Sequence, residues 1–376
     1  MINWRVPLFD TCFGVEEETA VLAVIRSGWL TMGEKVQQLE DRFSEELAGS
    51  HVIAVANCTA ALHLAFASLG IGPGDEVLLP SLTFVATANA VRYVGATPVF
   101  ADVTGIQDPC VDPDELERRI TARTRAICVV HYAGFPCDMV AISDLARARG
   151  LALVEDCAHS LFSSLDGVRC GLWGDVAAFS FFSNKNITCG EGGLVVTRRQ
   201  EIADECRLRR SHGMTSVTLD RHEGRATDYD VVNLGFNYRM DEIRAAFTLA
   251  QLDRLPGYLA RRGALWTRYR DALKTVPDVL VPDFGSRSSD VGVHVMPVVL
   301  PKHIPRDIVA QRLRADGVQT SVHYAPAHSF SAYKGAGTYL PRSEAFGARE
   351  LTLPFFPSMS DDQLSIVVNA LKAAIA

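Results

Sequence analysis

The chain has 376 residues, of which 48% are hydrophobic and 22% are charged, and its formal net charge is −7 at pH 7. This length favours one large and one smaller domain, and the composition is typical of a soluble globular protein. Because no basic block offsets the negative charge, nucleic acids and membrane surfaces are not expected as partners.

Cysteine usage and the start of the chain indicate a cytoplasmic protein. The nine cysteines are odd in number and include no Cys-x-x-Cys pair, so they are interpreted as reduced core thiols. Neither a disulfide framework nor a zinc or other metal site is expected. Charge and proline come too early in the first residues for a signal peptide, and no apolar run reaches membrane-spanning length.

From residue 15 to residue 154, predicted helices alternate with short apolar strands. Gly28 ends the first helix, Phe84 lies in the first turn of the fourth, and Asp112-Pro113 begins the fifth. Strands that are apolar throughout predict an α/β domain around a mainly parallel sheet with both faces covered. The predicted helices span residues 15–27, 36–47, 60–69, 83–94, 113–120 and 139–149, and the predicted strands span residues 52–56, 76–79, 97–101, 126–130 and 151–154.

The strand 52–56 leads through Asn57-Cys58-Thr59 into a helix. A helix that begins in this way directs free backbone N–H groups at whatever lies above it, which makes an anion site. An ordinary capped helix start explains the same residues equally well. The chain has no Walker loop and no GxGxxG fingerprint, so it lacks the sequence signatures of nucleotide-binding folds.

The stretch from Phe179 to Thr197 places a lysine between two buried strands. An apolar run over residues 176–182 ends abruptly, Lys185 follows, and a glycine-rich loop leads to a strand over residues 194–196. Partial burial would lower the pKa of this lysine and make its amine nucleophilic. A lysine on an exposed hairpin is the alternative.

An aspartate follows another predicted strand. The strand 151–154 continues into Glu155-Asp156, and ligands collect at the carboxyl ends of strands in parallel sheets. Asp156 is therefore either a helix cap or a fixed negative charge that faces a ligand.

In the second half, a helix is predicted over residues 201–210, and residues 211–231 are interpreted as a surface excursion. The next helix is expected to bury an apolar stripe made of Met240, Ile243, Ala246, Phe247 and Ala250.

Three parts of the chain are predicted: an N-terminal arm (residues 1–13), a large α/β domain (14–255) and a small C-terminal α+β domain (256–376). The boundary is placed at Pro256-Gly257, with the helix 258–273 crossing into the small domain. That domain is expected to contain strands 291–300 and 319–323 and helices 306–316 and 361–374.

Of the six lysines, only Lys185 lies in an apolar, glycine-flanked context. Together with an aspartate at a strand end, an aromatic residue near a helix start and an anion-binding helix N-terminus, it matches the needs of pyridoxal phosphate (PLP) chemistry. That chemistry requires a lysine for the aldehyde, a carboxylate for the pyridine nitrogen, a ring to stack and donors for the phosphate.

The chain resembles the DegT/DnrJ/EryC1/StrS family of sugar aminotransferases, which belong to the fold-type I, aspartate aminotransferase-like PLP enzymes. The resembling segments occur in the family's order over nearly the whole chain. They are Ser27-Gly-Trp-Leu-Thr-Met-Gly, Thr59-Ala-Ala-Leu-His-Leu-Ala, Gly72-Pro-Gly-Asp-Glu-Val, Thr83-Phe-Val-Ala-Thr, Gly95-Ala-Thr-Pro-Val-Phe-Ala-Asp, Glu155-Asp-Cys-Ala-His, the stretch around Lys185, Asn237-Tyr-Arg-Met and His323-Tyr-Ala-Pro.

The resemblance implies a role for each matching residue. Lys185 would hold the cofactor covalently and then act as the base that moves a proton, and Asp156 would pair with the pyridinium nitrogen. Phe84 would stack on the ring, and His159 stands where the family often has a glutamine. Thr59, Ala60 and Ser180 would hold the phosphate, and Asn237 would reach the phosphate of the neighbouring subunit, which implies a homodimer with shared sites.

Two features of the sequence bear on this resemblance. Many relatives have Ser-Gly-Thr where this chain has Asn57-Cys58-Thr59, so the details of the phosphate site differ. Relatives that dehydrate the sugar have histidine in place of the lysine, and Lys185 argues against that reaction.

The implied reaction transfers an amino group from glutamate or glutamine to a nucleotide-linked keto-deoxysugar, with pyridoxamine phosphate (PMP) as the second form of the cofactor. A keto-cyclitol aminotransferase and a PLP-binding regulator without turnover are the alternatives. The residues expected to line the sugar-nucleotide pocket are Trp29, Thr31, Met32, Arg239, His323 and Tyr324.

Overall fold

Residues 4–216, 224, 227–286, 289–333 and 339–376 are described by the computed structural model. Their helices are α1 (Val15–Ser27), α2 (Glu34–Glu46), α3 (Cys58–Ser68), α4 (Ala86–Tyr93), α5 (Pro113–Arg118), α6 (Met139–Arg149), α7 (Gln200–Arg210), α8 (Glu242–Leu252), α9 (Leu255–Leu273), α10 (Arg306–Ala315), α11 (Pro341–Arg349) and α12 (Asp361–Ile375).

The strands of the same residues are β1 (His51–Val55), β2 (Glu76–Pro80), β3 (Thr97–Ala101), β4 (Thr124–Val130), β5 (Ala152–Asp156), β6 (Ser164–Leu165), β7 (Val168–Arg169), β8 (Val176–Ser180), β9 (Gly193–Thr197), β10 (Ser289–Asp290), β11 (Met296–Val299) and β12 (Glu350–Leu353). None of the described helices is both long and apolar enough to cross a membrane.

Seven of these strands form the central sheet, in the order β1-β9-β8-β5-β4-β2-β3. Five consecutive strands of the sheet are parallel to one another, namely β8, β5, β4, β2 and β3. Strand β9 is antiparallel to both of its neighbours, β8 and β1. The prediction of an α/β fold with a mainly parallel sheet is therefore confirmed. The carboxyl ends of β5 and β8 lie side by side, because Asp156 pairs with Ala178.

The start of α4 differs from the sequence prediction. The helix begins at Ala86, so Phe84 lies in the turn before it and not in its first turn. The hydroxyls of Thr83 and Thr87 are 2.8 Å apart, and that of Thr87 also donates to Asp156. The Thr83 hydroxyl also lies 3.2 Å from the backbone carbonyl of Phe84, and such a side-chain bond to the backbone competes with regular helix formation.

The buried face of α8 is also different from the predicted apolar stripe. Ile243, Phe247 and Ala250 are only partly buried, whereas Glu242 and Gln251 are buried. The Glu242 carboxylate accepts the N–H groups of Gly33, Lys35 and Val36 at the start of α2, and Gln251 bonds the main chain of Thr188. Hydrogen bonds to neighbouring backbone, which apolar periodicity does not reveal, determine which face is buried.

The C-terminal part of the chain contains α9 to α12 and the antiparallel pair β11–β12. The sequence did not predict β12 or α11, and the strand expected over residues 319–323 is reduced to one bridge between Ser321 and Thr352. The helix α9 begins at Leu255, so Pro256 belongs to its first turn, where a proline is tolerated, and the chain does not break there. Residues 217–223, 225 and 226 of the expected surface excursion lie outside the described residues.

Candidate active site

A cleft of about 750 Å³ opens at the carboxyl ends of β5 and β8. Asp156 and Ser180 are the last residues of these two strands. Part of the opposite wall comes from residues 321–324, more than a hundred positions later in the chain. The cleft brings together nine of the residues expected from the sequence: Thr59, Ala60, Phe84, Asp156, His159, Ser180, Lys185, His323 and Tyr324.

Lys185 lies in the loop between β8 and β9 and is half-buried. Its backbone N–H donates to the carbonyl of Phe182 at 2.9 Å, and its Nζ lies 3.2 Å from Nε2 of His294. Burial lowers the pKa of Lys185 to about 8, although the negative charge of Asp156 opposes the shift. About a tenth of the amine is therefore neutral at pH 7, which is far more than for an exposed lysine.

The Asp156 carboxylate is held in place by two donors. Oδ2 accepts from the hydroxyl of Thr87 at 2.8 Å, and Oδ1 accepts from the backbone N–H of Ala158 at 3.1 Å. Burial raises the pKa of Asp156, and these hydrogen bonds and the charge of Lys185 oppose the rise. A cationic ligand would favour the ionised form, because it would compensate the buried charge.

The residue before Asp156 anchors the end of β5. The Glu155 carboxylate accepts from His131 Nε2 at 3.0 Å and from the N–H groups of Gly171, Trp173 and Gly174 at 2.7–2.8 Å. His131, Glu155 and Cys157 are close enough to hold a metal ion. Since Glu155 already accepts four hydrogen bonds, we assign this cluster a structural role.

The start of α3 forms another wall of the cleft. Oδ1 of Asn57 accepts the backbone N–H of Ala60 at 2.9 Å, so this N–H already has a partner. The residues that precede Ala60 in the first turn of α3 face the cleft. Gly193 at the start of β9 passes close to this turn. A Cβ at residue 193 would lie 2.7 Å from the backbone atoms of Asn57 and Cys58, so only glycine fits there.

Three rings line another part of the cleft. The side chain of Phe84 is 59% exposed, and its ring centroid lies 6.1 Å from that of Tyr324. His159 Nδ1 accepts the N–H of Ala133 at 3.3 Å, and burial lowers the pKa of His159, so the neutral ring carries its proton on Nε2. That nitrogen lies 2.8 Å from the Tyr324 hydroxyl and donates to it, which leaves the tyrosine proton free to point elsewhere.

The other expected site residues do not line the cleft of a single chain. Asn237 is exposed and forms a backbone bridge with Ser211, and Arg239 forms one with Val55. The remaining three precede α2: Thr31 is exposed, Trp29 is partly buried, and Met32 packs against the core around Val36.

Sequence reasoning missed three kinds of contact. Thr87 positions Asp156, His294 contacts the amine of Lys185, and Glu350 with Thr352 supports His323. No sequence signal identifies the last of these, because Glu350 and Thr352 alternate with leucines and the pattern does not show which residue they contact.

The described residues fit PLP. An amine of lowered pKa and a buried carboxylate line the same cleft, together with the start of a helix and an exposed aromatic ring. These are the groups that an aldehyde, a ring nitrogen, a phosphate and an aromatic ring face require. Lys185, Asp156, the first turn of α3 with Ser180, and Phe84 would hold the cofactor.

Comparisons with known proteins agree with this fit. The model of the DegT/DnrJ/EryC1/StrS aminotransferase family matches residues 11–372 of the chain. One relative is the spore coat polysaccharide biosynthesis protein SpsC of Bacillus subtilis (strain 168). It is 37% identical over 380 residues, which cover 98% of this chain and 97% of SpsC.

Two solved structures share the whole fold. Spr1654 from Streptococcus pneumoniae, a candidate sugar aminotransferase, is known in PLP and PMP forms. Its PMP form matches with a TM-score of 0.91 at 29% identity and covers 100% of this chain and 99% of its own. DesI, solved in the presence of its TDP-sugar product, matches with a TM-score of 0.88 at 30% identity and covers 100% and 94%. The expected fold-type I architecture is confirmed.

Proposed function

This chain belongs to the DegT/DnrJ/EryC1/StrS aminotransferase family, and we propose that it transfers the amino group of glutamate or glutamine to the ketone of a nucleotide-linked keto-deoxysugar. As a member of this family it is a PLP-dependent sugar aminotransferase. The observation that carries the proposal is the meeting of Lys185, Asp156 and the start of α3 in one cleft.

When bound, PLP supplies an aldehyde that takes up the amino group and a ring that spreads the negative charge of a carbon that has lost its proton. The Nζ of Lys185 holds the cofactor, and when it is free it accepts and returns that proton. An amine with a pKa of about 8 suits both tasks near neutral pH, because a useful fraction is unprotonated and the ammonium still gives up its proton readily.

Asp156 would provide a negative charge to the ring nitrogen of the cofactor. The carboxylate cannot turn away, because Thr87 and Ala158 bond one oxygen each. A cationic ring nitrogen beside it would be stabilised by this fixed charge, in surroundings where few water dipoles compete. The N–H groups at the start of α3 and the hydroxyl of Ser180 would hold the phosphate, with the positive end of the helix dipole behind them.

The size and lining of the cleft support a sugar nucleotide as substrate. A volume of about 750 Å³ lies in the usual range for small-molecule sites. Its polar lining includes Ser321, His323 and Tyr324, which can bond hydroxyl and carbonyl oxygens. DesI, which has a TDP-sugar product, shares the fold over the whole length of this chain.

We also propose a homodimer with shared sites, in the cytoplasm. Phe182, Tyr229, Val232 and Leu234 are exposed hydrophobic residues, an arrangement that favours a partner surface. A second copy would have to bring its Asn237 to the phosphate, and Trp29, Thr31, Met32 and Arg239 to the substrate. All nine cysteines lie within the described residues and are free thiols, which supports a reducing compartment.

The substrate assignment is tested with a panel of acceptors. The purified PLP-loaded protein is given glutamate or glutamine with TDP- and UDP-linked 3-keto- and 4-keto-6-deoxyhexoses, and with scyllo-inosose. With one of the nucleotide-linked ketones as acceptor, we expect release of the 2-oxo acid and formation of an amino sugar. Turnover of scyllo-inosose alone would contradict the proposal and favour the cyclitol reaction, and no turnover with any acceptor would favour a regulator.

A further inference from the structure

The ring of His323 is connected to a buried carboxyl group through one hydroxyl. His323 lines the cleft, and its Nδ1 lies 2.8 Å from Oγ1 of Thr352. The same hydroxyl lies 2.5 Å from Oε1 of Glu350, whose Oε2 accepts the backbone N–H of His323 at 2.8 Å. All three residues are buried, so water does not compete for these bonds.

The backbone fixes this arrangement. Ser321 and Thr352 exchange two backbone hydrogen bonds of 3.1 and 2.8 Å, which align the segment of His323 with β12. On the other side, the hydroxyl of Tyr132 donates to the carbonyl of His323. The ring therefore keeps Nδ1 toward Thr352, and Nε2 has no hydrogen-bond partner among the described residues.

The hydrogen bonds that link His323 through Thr352 to Glu350 form a proton relay. Counting its protons shows that the relay has two states. A Glu350 carboxylate only accepts, so the Thr352 hydroxyl must donate to it and must accept from His323 Nδ1–H. The neutral ring then presents the lone pair of Nε2. A Glu350 carboxylic acid reverses both bonds: it donates to Thr352, which donates to Nδ1, and the ring carries its proton on Nε2. Oε2 cannot hold the proton toward His323, because it already accepts the backbone N–H.

We propose that Glu350 is a positioning residue that sets the tautomer of His323, and so determines whether this ring offers the substrate a hydrogen-bond donor or an acceptor. The role toward the substrate depends on the function proposed above, whereas the tautomer itself can be measured in the protein without substrate.

The charges around the relay favour a neutral ring and a protonated carboxyl group. Burial raises the pKa of Glu350 to about 8, against the smaller effects of its hydrogen bonds and of Arg306. Burial and the charge of Lys185 lower the pKa of His323 to about 3. The other ionisable groups that face Glu350 are the hydroxyls of Tyr132 and Tyr324, which burial keeps neutral.

These charges set the direction of the switch. Below about pH 8 the Glu350 carboxyl group is protonated, and His323 donates from Nε2 to an oxygen of the substrate. Above that pH the polarity reverses, and the lone pair of Nε2 faces the same oxygen. The substrate then loses a hydrogen bond and faces a repulsive contact, so its KM rises.

The test is NMR of the PLP-loaded protein labelled with ¹⁵N-histidine, followed from pH 6 to pH 10. Two-bond ¹⁵N–¹H spectra distinguish a protonated ring nitrogen from an unprotonated one, and the His323 signal is assigned by its loss in His323→Gln. We expect the proton on Nε2 at pH 6 and on Nδ1 at pH 10, with a midpoint near 8.

Glu350→Gln is the decisive variant, because its amide mimics the protonated acid: the NH₂ group donates to Thr352 and the carbonyl accepts the N–H of His323. It should keep the proton on Nε2 at every pH, and Thr352→Ser should behave like the natural protein. A His323 tautomer that does not change with pH in the natural protein, or that still switches in Glu350→Gln, would overturn the proposal. Neither result depends on whether a sugar nucleotide is the substrate.

Discussion

At the scale of single residues, the chemistry of the cleft depends on a half-buried amine and a buried carboxylate. Desolvation lowers the pKa of Lys185 and raises that of Asp156, and the charge of each opposes the shift of the other. The first effect makes the amine available near pH 7, and the second makes Asp156 responsive to a cation placed beside it.

The pKa of Lys185 predicts how fast the cofactor-free protein takes up PLP. The rate should follow the fraction of neutral amine, rising about tenfold per pH unit below pH 8 and levelling above it. Stopped-flow absorbance over pH 6 to 10 measures this, with Lys185→Arg as a control that should not react. A rate that still rises tenfold per unit at pH 9 to 10, as for an exposed lysine, would contradict the assignment.

Replacing Asp156 by asparagine should remove the charge and keep the shape. The Ala158 N–H can still donate to the carbonyl of the new side chain, so the thermal unfolding midpoint should change little. We expect kcat to fall by about 10²–10³-fold, the loss typical of a removed electrostatic contact to the transition state. An Asp156→Asn variant with kcat within a few fold of the natural value would exclude Asp156 from this role.

Lys185 and Asp156 could be recognised from the sequence because each follows a buried strand and lies in a segment that resembles the family. His294 and Glu350 could not. Their partners stand 109 and 27 positions away in the chain, and a lone histidine or glutamate in an apolar run gives no indication of which residue it meets. Only the packing of the C-terminal part against the sheet brings them to the cleft.

At the scale of elements, the cleft depends on the close packing of β9 against the start of α3. Gly193 ends the glycine-rich stretch after Lys185, and it is the residue of β9 that lies against the start of α3. A Cβ there would lie 2.7–2.8 Å from backbone atoms of Asn57, Cys58 and Phe179, which cannot move without shifting the strand or the helix.

Gly193→Ala should therefore push β9 away from the first turn of α3. We expect the free energy of unfolding to fall by about 1–3 kcal/mol and the affinity for PLP to fall with it. Urea unfolding and PLP titration measure the two effects. Gly105→Ala is the matched control, because a Cβ at residue 105 would meet nothing within 4 Å. Equal behaviour of the two variants would contradict this account.

Element types and positions were largely predictable, whereas pairing in the C-terminal part was not. Strand β3 and helix α6 begin and end where the sequence placed them. The strand β12 was missed because Glu350 and Thr352 interrupt its apolar pattern, and these are the residues that contact His323. Buried polar residues that bond a specific partner give a strand the polar composition of a loop, so its sequence pattern does not predict a strand.

At the scale of the whole molecule, we propose the division into an arm, a large domain and a small domain, with the boundary moved to the turn before α9. The arm lies on the C-terminal part: Val6 pairs with Val318, and Phe355 donates to the carbonyl of Leu8. The cleft lies where the C-terminal part meets the sheet, so its shape depends on both.

The shared-site dimer predicts complementation between two inactive variants. Lys185→Ala and Asn237→Asp should each be inactive alone, the second because its charge repels a phosphate. In a mixed dimer, one site would carry both lesions and the other would be intact. Denaturing and refolding equal amounts together should restore up to about a quarter of the natural activity, since half of the dimers are mixed by statistics. No recovery, although light scattering shows mixed dimers, would contradict the shared site.

The central claim, that Lys185 drives amino transfer through the cofactor, is tested most directly in the two half-reactions. Glutamate added to the PLP-loaded protein should abolish the visible absorption of the cofactor and release one 2-oxoglutarate per chain, and a nucleotide-linked keto-sugar should then restore the absorption. Lys185→Ala should do neither at a measurable rate. A natural protein whose absorption is unchanged by both glutamate and glutamine, or a Lys185→Ala variant that completes both steps, would contradict the account.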